Sequence, residues 1–273
     1  MASTDLPGVD LKGRVAIVTG SSQNLGKVMA EGLARAGARL VLAAPDIERL
    51  KGVAAEIGKG KAIAVEADIT READCQRVLE EGIRSFGSVD VLVNNARNIR
   101  SGLTDYKSAP FWERPVAFWE AAIRVNVFGT YLMTRTMVPH MIARKWGRIV
   151  NISTGLRSIV EKHNSPYGVT KAAIDTETII WAQDLEGTGV TVNTLLPGGA
   201  CDTERPRSGP PTAGKLLSVN VMVPPVVWLA SDLSDGCTGG RYVGKRWDES
   251  LPPSDAAKRS LEPPIFRTPA DDD

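Results

Sequence analysis

The chain has 273 residues, 42% hydrophobic and 24% charged, with a formal net charge of +1. That is apolar material enough for one large α/β domain or two small ones, and the near-neutral balance gives no basic field to favour nucleic acid. Three scattered cysteines, Cys75, Cys201 and Cys237, suit reduced thiols in a cytoplasmic enzyme rather than a disulfide framework. No Cys/His cluster has metal-ligand spacing, so no metal is expected. The opening MASTDLPGVDLKGR lacks an apolar leader, and no apolar run approaches the roughly 18 residues of a membrane span; neither secretion nor a membrane partner is expected.

From Arg14 the chain reads strand, glycine turn, helix. RVAIVTG is a near-continuous apolar run, as expected of a strand buried on both faces. GSSQNLGKVMAEGLARAGA follows with Leu25, Val28, Met29, Leu33 and Ala36 at helical spacing, closing at Gly37. A glycine turn at a helix N-terminus presents free N–H groups and the positive end of the helix dipole to a phosphate. Further strands are expected at 38–44, 61–68, 88–96, GRIVNIS and GVTVNTLLPGG. Helices are expected at 46–57, at 71–86 with Thr70 as N-cap, at 115–144 with a kink near Pro139, and at 166–185. Alternation of this kind implies right-handed βαβ units, hence a single-domain, Rossmann-type, doubly wound parallel sheet flanked by helices on both faces. Residues 1–11 read as an N-terminal tail, 12–248 as the domain, and the Pro-rich 249–273 as an irregular C-terminal tail.

The helix at 166–185 carries Tyr167 and Lys171 one turn apart on one face. An ammonium beside a phenol favours the phenolate, and a tyrosine tuned in this way exchanges a proton with an alcohol or carbonyl oxygen. Taken alone, the pair is equally a tyrosine with a solvated neighbour.

Together, TGSSQNLG, Asp68, the NNA at 94–96, Asn126, YGVTK and LPGGACDT resemble the classical short-chain dehydrogenases/reductases, over about 12–248. The resemblance implies that Gly20 and Gly26 lie against a cofactor pyrophosphate, with Ser22, Gln23, Asn24 and Leu25 beside them. It implies that Asp68 and Ile69 meet the adenine, that Asn95, Ala96 and Arg97 pass the ribose, and that Pro197, Gly198, Ala200 and Thr203 hold the nicotinamide end. Tyr167 would be the acid/base, Lys171 a ribose ligand and electrostatic partner, and Asn126 the holder of a relay water. Thr154 stands at the family's usual distance before the tyrosine and is the expected polarising hydroxyl, with Ser153 as the alternative. Asp68 as a simple cap and Asn126 as a partner of a helix carbonyl are the bland alternatives.

The sequence departs from the family pattern in three places. Asn24 stands in for the second loop glycine, where asparagine tolerates left-handed backbone; Arg97 replaces the glycine after Asn-Ala; and LPGGACDT is one residue longer than usual. The cofactor is expected to be NAD(P). Ala44 stands where NAD enzymes usually carry an aspartate and does not repel a 2′-phosphate, a lean towards NADP, although Pro45 and Gln23 occupy the usual basic positions. The expected activity is NAD(P)-dependent interconversion of an alcohol and a carbonyl on a small-molecule substrate, with a non-catalytic dinucleotide sensor as the alternative. Tyr106, Phe111, Trp112, Phe118 and Trp119 are candidates to line an apolar pocket mouth, and the loop from Glu204 is the expected substrate lid. Arg97 and Arg157 are a candidate anion clamp. A homo-oligomer, dimer or tetramer, is expected on the long helices.

Overall fold

A computed structural model describes residues 6, 8–98, 109–204, 216–263 and 265. Tyr106 and residues 205–215 of the expected lid lie outside the described residues, as does the acidic end of the C-terminal tail. The first half is built from β1 (Val15–Thr19), α1 (Asn24–Arg35), β2 (Arg39–Ala44), α2 (Ile47–Ile57), β3 (Ala62–Glu66), α3 (Glu72–Phe86) and β4 (Val91–Asn94). After it come α4 (Val116–Ile123), α5 (Thr130–Ala143), β5 (Gly147–Ile152), the one-turn α6 (Leu156–Ile159), α7 (Tyr167–Asp184) and β6 (Val190–Leu196). The last elements are α8 (Val223–Leu229), β7 (Arg241–Val243), α9 (Pro253–Ser260) and β8 (Leu261–Glu262).

These strands form one eight-stranded sheet in the order β3-β2-β1-β4-β5-β6-β7-β8, parallel except for β7 and β8. The chain winds outward from β1 in both directions, so the strand order reverses between β1 and β4. A crevice opens at such a reversal, beyond the carboxyl ends of the strands. The strands are buried on both faces, which is why they read as continuous apolar runs. One face, with Ala16, Val18, Leu40, Leu42 and Val93, packs against Met29, Leu33, Val226 and Trp228. The other, with Ile17, Val41, Leu92 and Ile149, packs against Val78, Met133 and Met137.

Several sequence expectations change. The helix expected at 115–144 is interrupted at Arg124–Gly129, which winds as a π-helix, while Pro139 lies inside the continuous α5. The wider turn carries the buried Asn126, and isolated π turns recur at functional sites. Thr70 does not cap α3: both its hydroxyl and its N–H donate to Asp68 Oδ1, at 2.8 and 2.9 Å, a local bond that competes with capping. The tail expected to be irregular instead forms α9 and β8. Ala256 and Ala257 of α9 are buried, and β8 pairs antiparallel with β7. The two prolines there read as breakers, yet they stand at the N-cap and first position of α9, where a helix tolerates proline. No described helix is long and apolar enough to cross a membrane.

Candidate active site

At the sheet reversal a cleft of about 460 Å³ is lined by the ends of β1 to β4 and by the first turn of α1. Its wall includes Gly20, Ser22, Gln23, Asn24, Leu25, Gly26, Asp68, Ile69, Asn95, Ala96 and Arg97, each expected from sequence to meet the cofactor. Backbone approach here is too close for side chains. A Cβ on Gly26 would lie 2.3 Å from the Gly20 carbonyl oxygen, and one on Gly20 would lie 2.8 Å from Ala96 Cα. Asn95 braces this junction through its side-chain amide, which donates to Thr19 O at 2.9 Å and Gly20 O at 3.1 Å. The Thr19 hydroxyl accepts in turn from the N–H groups of Asn95 and Ala96, both at 3.0 Å. Open backbone at a helix N-terminus, kept clear of Cβ atoms, fits the pyrophosphate of a dinucleotide.

Asn24 adopts φ +53°, so the glycine position is filled by a residue that tolerates the left-handed region. Its side-chain oxygen accepts from Glu204 N at 3.0 Å, linking the glycine turn to the segment after β6. At the opposite end of the cleft Arg49 joins Ala44, Pro45 and Asp46 in the wall. Its Nη1 donates to Gln23 Oε1 at 3.0 Å, and its N–H to the capping Asp46 carboxylate at 3.1 Å. Sequence inspection of Pro45 and Gln23 missed this cation. The available signal was its position three residues past the helix cap, which returns a side chain to the first turn.

The second cluster lies where α7 meets the exit of β5. Lys171 is buried, and its ammonium donates to Ile152 O at 2.6 Å, with Nζ 5.9 Å from the centre of the Tyr167 ring. Burial pushes the Lys171 ammonium down to about 7; Arg97 adds to the shift by like-charge repulsion, and Asp175 opposes it. Asn126 bridges two elements. Its Oδ1 accepts from Asn98 N at 2.7 Å, and its amide donates to Thr170 Oγ1 at 3.2 Å. Its own carbonyl accepts the Thr130 hydroxyl at 2.9 Å. Gly168, next to Tyr167, is required by packing: a Cβ there would lie 2.0 Å from Ile159 O, so only glycine lets α6 close on the first turn of α7.

The two hydroxyl candidates part here. Ser153 is 3% exposed and donates to Asp175 Oδ2 at 3.0 Å, on the face from which Asn151 reaches Thr178. Strand alternation therefore commits Ser153 to α7, and the half-buried Thr154 is the hydroxyl that remains. Pro197, Gly198, Ala200 and Thr203 follow β6 and do not line the 460 Å³ cleft; the Ala200 carbonyl accepts from Leu217 N at 2.9 Å. Arg97 lines the cleft, whereas Arg157 is exposed on α6, so the two arginines are not drawn into one buried clamp. Among the described residues no cluster of His, Cys, Asp and Glu has the makings of a metal site.

The Lys171 shift has a definite sign. Between about 7 and the ordinary 10.5 the unfolded chain holds a proton that the folded chain lacks, so unfolding free energy rises with pH across that window. Relative to Lys171→Met, wild type should gain about 3–5 kcal/mol between pH 7 and pH 10.5. Urea unfolding of both proteins at the two pH values measures it; a constant difference would show that Lys171 titrates normally.

Known proteins match this geometry. Residues 14–209 match the short chain dehydrogenase family. The 3-oxoacyl-[acyl-carrier-protein] reductase of Aquifex aeolicus is 36% identical over 195 residues, 70% of this chain and 75% of that protein. Among solved structures, a metagenomic short-chain oxidoreductase in complex with NADP is 30% identical with a TM-score of 0.68, covering 81% of this chain and 91% of that one. A short chain dehydrogenase/reductase family protein, also 30% identical, reaches 0.73 over 86% and 96%. With the family matched over residues 14–209 and a relative 36% identical over 70% of its length, the chain belongs to the short-chain dehydrogenase/reductase family of oxidoreductases.

Proposed function

We propose that the protein is an NAD(P)-dependent oxidoreductase that interconverts an alcohol and a carbonyl, with Tyr167 as its acid/base. The observation that carries this reading is the meeting of Tyr167, Lys171 and the β5 exit beside a cleft lined by the glycine turn and the N-terminus of α1. Gly20, Ser22, Gln23, Asn24, Leu25 and Gly26 would hold the pyrophosphate, Asp68 and Ile69 the adenine, and Asn95, Ala96 and Arg97 the ribose side. Pro197, Gly198, Ala200 and Thr203 would hold the nicotinamide end. When bound, the cofactor supplies or accepts the hydride.

The chain's own residues manage the proton. In the reducing direction the Tyr167 hydroxyl donates its proton to the substrate oxygen as negative charge develops there. Thr154 Oγ1 donates a hydrogen bond to the same oxygen, stabilising that charge. The Lys171 ammonium, one turn away, favours the negative phenol oxygen left behind. Asn126, between Asn98 and Thr170, keeps the cleft wall and α7 in register and holds the water through which the proton is restored. Replacing Tyr167 with Phe removes the transferable proton and should lower kcat by about 100-fold or more while leaving NADPH binding within about twofold. A ketone and alcohol panel with parallel cofactor titration tests this; near wild-type turnover in the variant would remove Tyr167 from the mechanism.

NADP is the cofactor that fits the adenosine end better. Ala44 offers no carboxylate to repel a 2′-phosphate, and Arg49 is the cation in that part of the wall, its Nε 3.4 Å from the Asp46 carboxylate. Its bond to Gln23 places positive charge beside the glycine turn that carries no base of its own. Arg49→Ala should weaken NADPH binding by about 10- to 100-fold, the loss of one charged hydrogen bond, and leave NADH nearly unchanged. Equal losses for both cofactors, read by fluorescence titration, would remove Arg49 from 2′-phosphate recognition.

The substrate reading follows from charge. Arg97 lines the cleft and lies close enough to depress Lys171, so the reacting end of the site carries the guanidinium charge and favours a substrate with a nearby anion. Arg97→Gly should raise KM for acidic carbonyl compounds by the equivalent of about 1.5–3 kcal/mol, with little change for neutral ones; equal kinetics for both classes would exclude the contact. The exposed apolar side chains Phe128 and Tyr131 beside α5, and Val169 and Ile180 on α7, support a homo-oligomer, dimer or tetramer, built on these helices.

A further inference from the structure

The end of β5 is gripped by a residue from the far edge of the sheet. Arg241 opens β7, is 4% exposed, and stands in register with Thr194 of β6 on one side and Glu262 of β8 on the other. Its Nη2 donates to the carbonyl of Thr154 at 2.5 Å. Its Nε lies 3.5 Å from the carboxylate of Asp175, itself 3% exposed. Its Nη1 pairs with Glu262, which Arg246 also reaches at 3.0 Å. Asp175 sits one turn beyond Lys171 on α7 and takes the Ser153 hydroxyl.

Two features make this more than an internal ion pair. Desolvating a guanidinium and a carboxylate together contributes little to stability and often opposes it, so the network's consequence has to be sought in what it orients. It also acts where packing exerts no control: at Gly155, which follows Thr154, even an added Cβ would meet nothing within 4 Å. Between the last ladder bond, Ser153 N to Leu195 O at 2.9 Å, and the α6 turn, where Gly155 O accepts from Ser158 N at 2.8 Å, the Arg241 bond to the Thr154 carbonyl is the side-chain contact that holds the chain as it leaves β5.

We infer that Arg241 is a positioning residue for the reaction. It fixes Thr154 through the carbonyl, while Asp175, facing its charge, takes the Ser153 hydroxyl, so that one hydroxyl of the Ser-Thr pair is presented to the substrate oxygen. Glu262 orients the guanidinium, which ties the C-terminal strand to the active site. The inference rests on the reading of Thr154 and Tyr167 as the groups that meet the substrate oxygen.

The test uses full-length Arg241→Lys and Glu262→Gln, each alone and combined with Thr154→Val. Lysine keeps the charge but lacks the fork needed to reach Thr154, Asp175 and Glu262 together; Glu262→Gln alters a partly exposed acid and serves should Arg241→Lys fail to fold. Hydrogen exchange, which needs no substrate, should quicken by about tenfold or more at 154–160 in either variant, with β1 unchanged. With NADPH and the carbonyl compounds that wild type reduces, kcat should fall about tenfold or more while KM for NADPH holds within about twofold. In the Thr154→Val background the same substitutions should lower kcat no further, because the effect passes through that hydroxyl. Unchanged exchange at 154–160 overturns the inference. So does a lowered kcat in Thr154→Val that multiplies with the effect of Arg241→Lys, and that result leaves the proposed reaction standing. An unchanged kcat in Thr154→Val overturns the hydroxyl assignment and this inference with it.

Discussion

A buried ammonium at the carboxyl edge of the sheet sets the terms for everything around it. Lys171 is removed from water, bonded to the Ile152 carbonyl, and opposed by the charge of Arg97. Such a group needs compensation nearby, and Asp175, one turn along α7, supplies the opposite charge. Asp175 is itself pushed up by burial and held down by Arg241 and the Ser153 hydroxyl, and Arg241 in turn requires Glu262. The demand for charge balance thus passes from the reacting end of the site to the outermost strand. An element at the edge of the fold is tied in this way to the chemistry at its centre.

The cofactor side is governed by distance rather than charge. Gly20 and Gly26 bring two backbones together where a methyl group would collide with a carbonyl, and Asn95 seals the contact with paired hydrogen bonds. Asn24, Leu25 and Gly26 at the start of α1 line the cleft. At Asn24 the chain keeps the required left-handed turn with a non-glycine residue and uses its side chain to hold Glu204. A departure from the family's glycine thereby becomes a bridge between two loops.

The sheet and its helices were legible because local signals sufficed. Buried parallel strands read as unbroken apolar runs, and the apolar residues of α1 and α3 repeat at helical spacing. The short last elements were not legible. VPPVVWL is buried throughout and so shows no periodicity, while α9 opens on prolines within a Pro-rich stretch that reads as a tail. The π turn at Asn126 left no mark either, since an extra residue in a helical turn changes hydrogen bonding but not composition.

The site divides along the same line. The sequence by itself determined the glycine turn and the one-turn spacing of Tyr167 and Lys171, because each depends on spacing within one turn or one helix, while the residues expected at the cofactor from Gly20 to Arg97 came from the family resemblance. It left Ser153 and Thr154 unresolved and made nothing of Arg49, Asp175 or Arg241. Those depend on which face of β5 meets α7, on where α2 starts relative to the glycine turn, and on a strand that pairs two sheet positions away from Thr154. Only the tertiary structure brings these contacts together, because a hydrogen bond between residues 87 positions apart leaves no periodicity or local propensity in the chain.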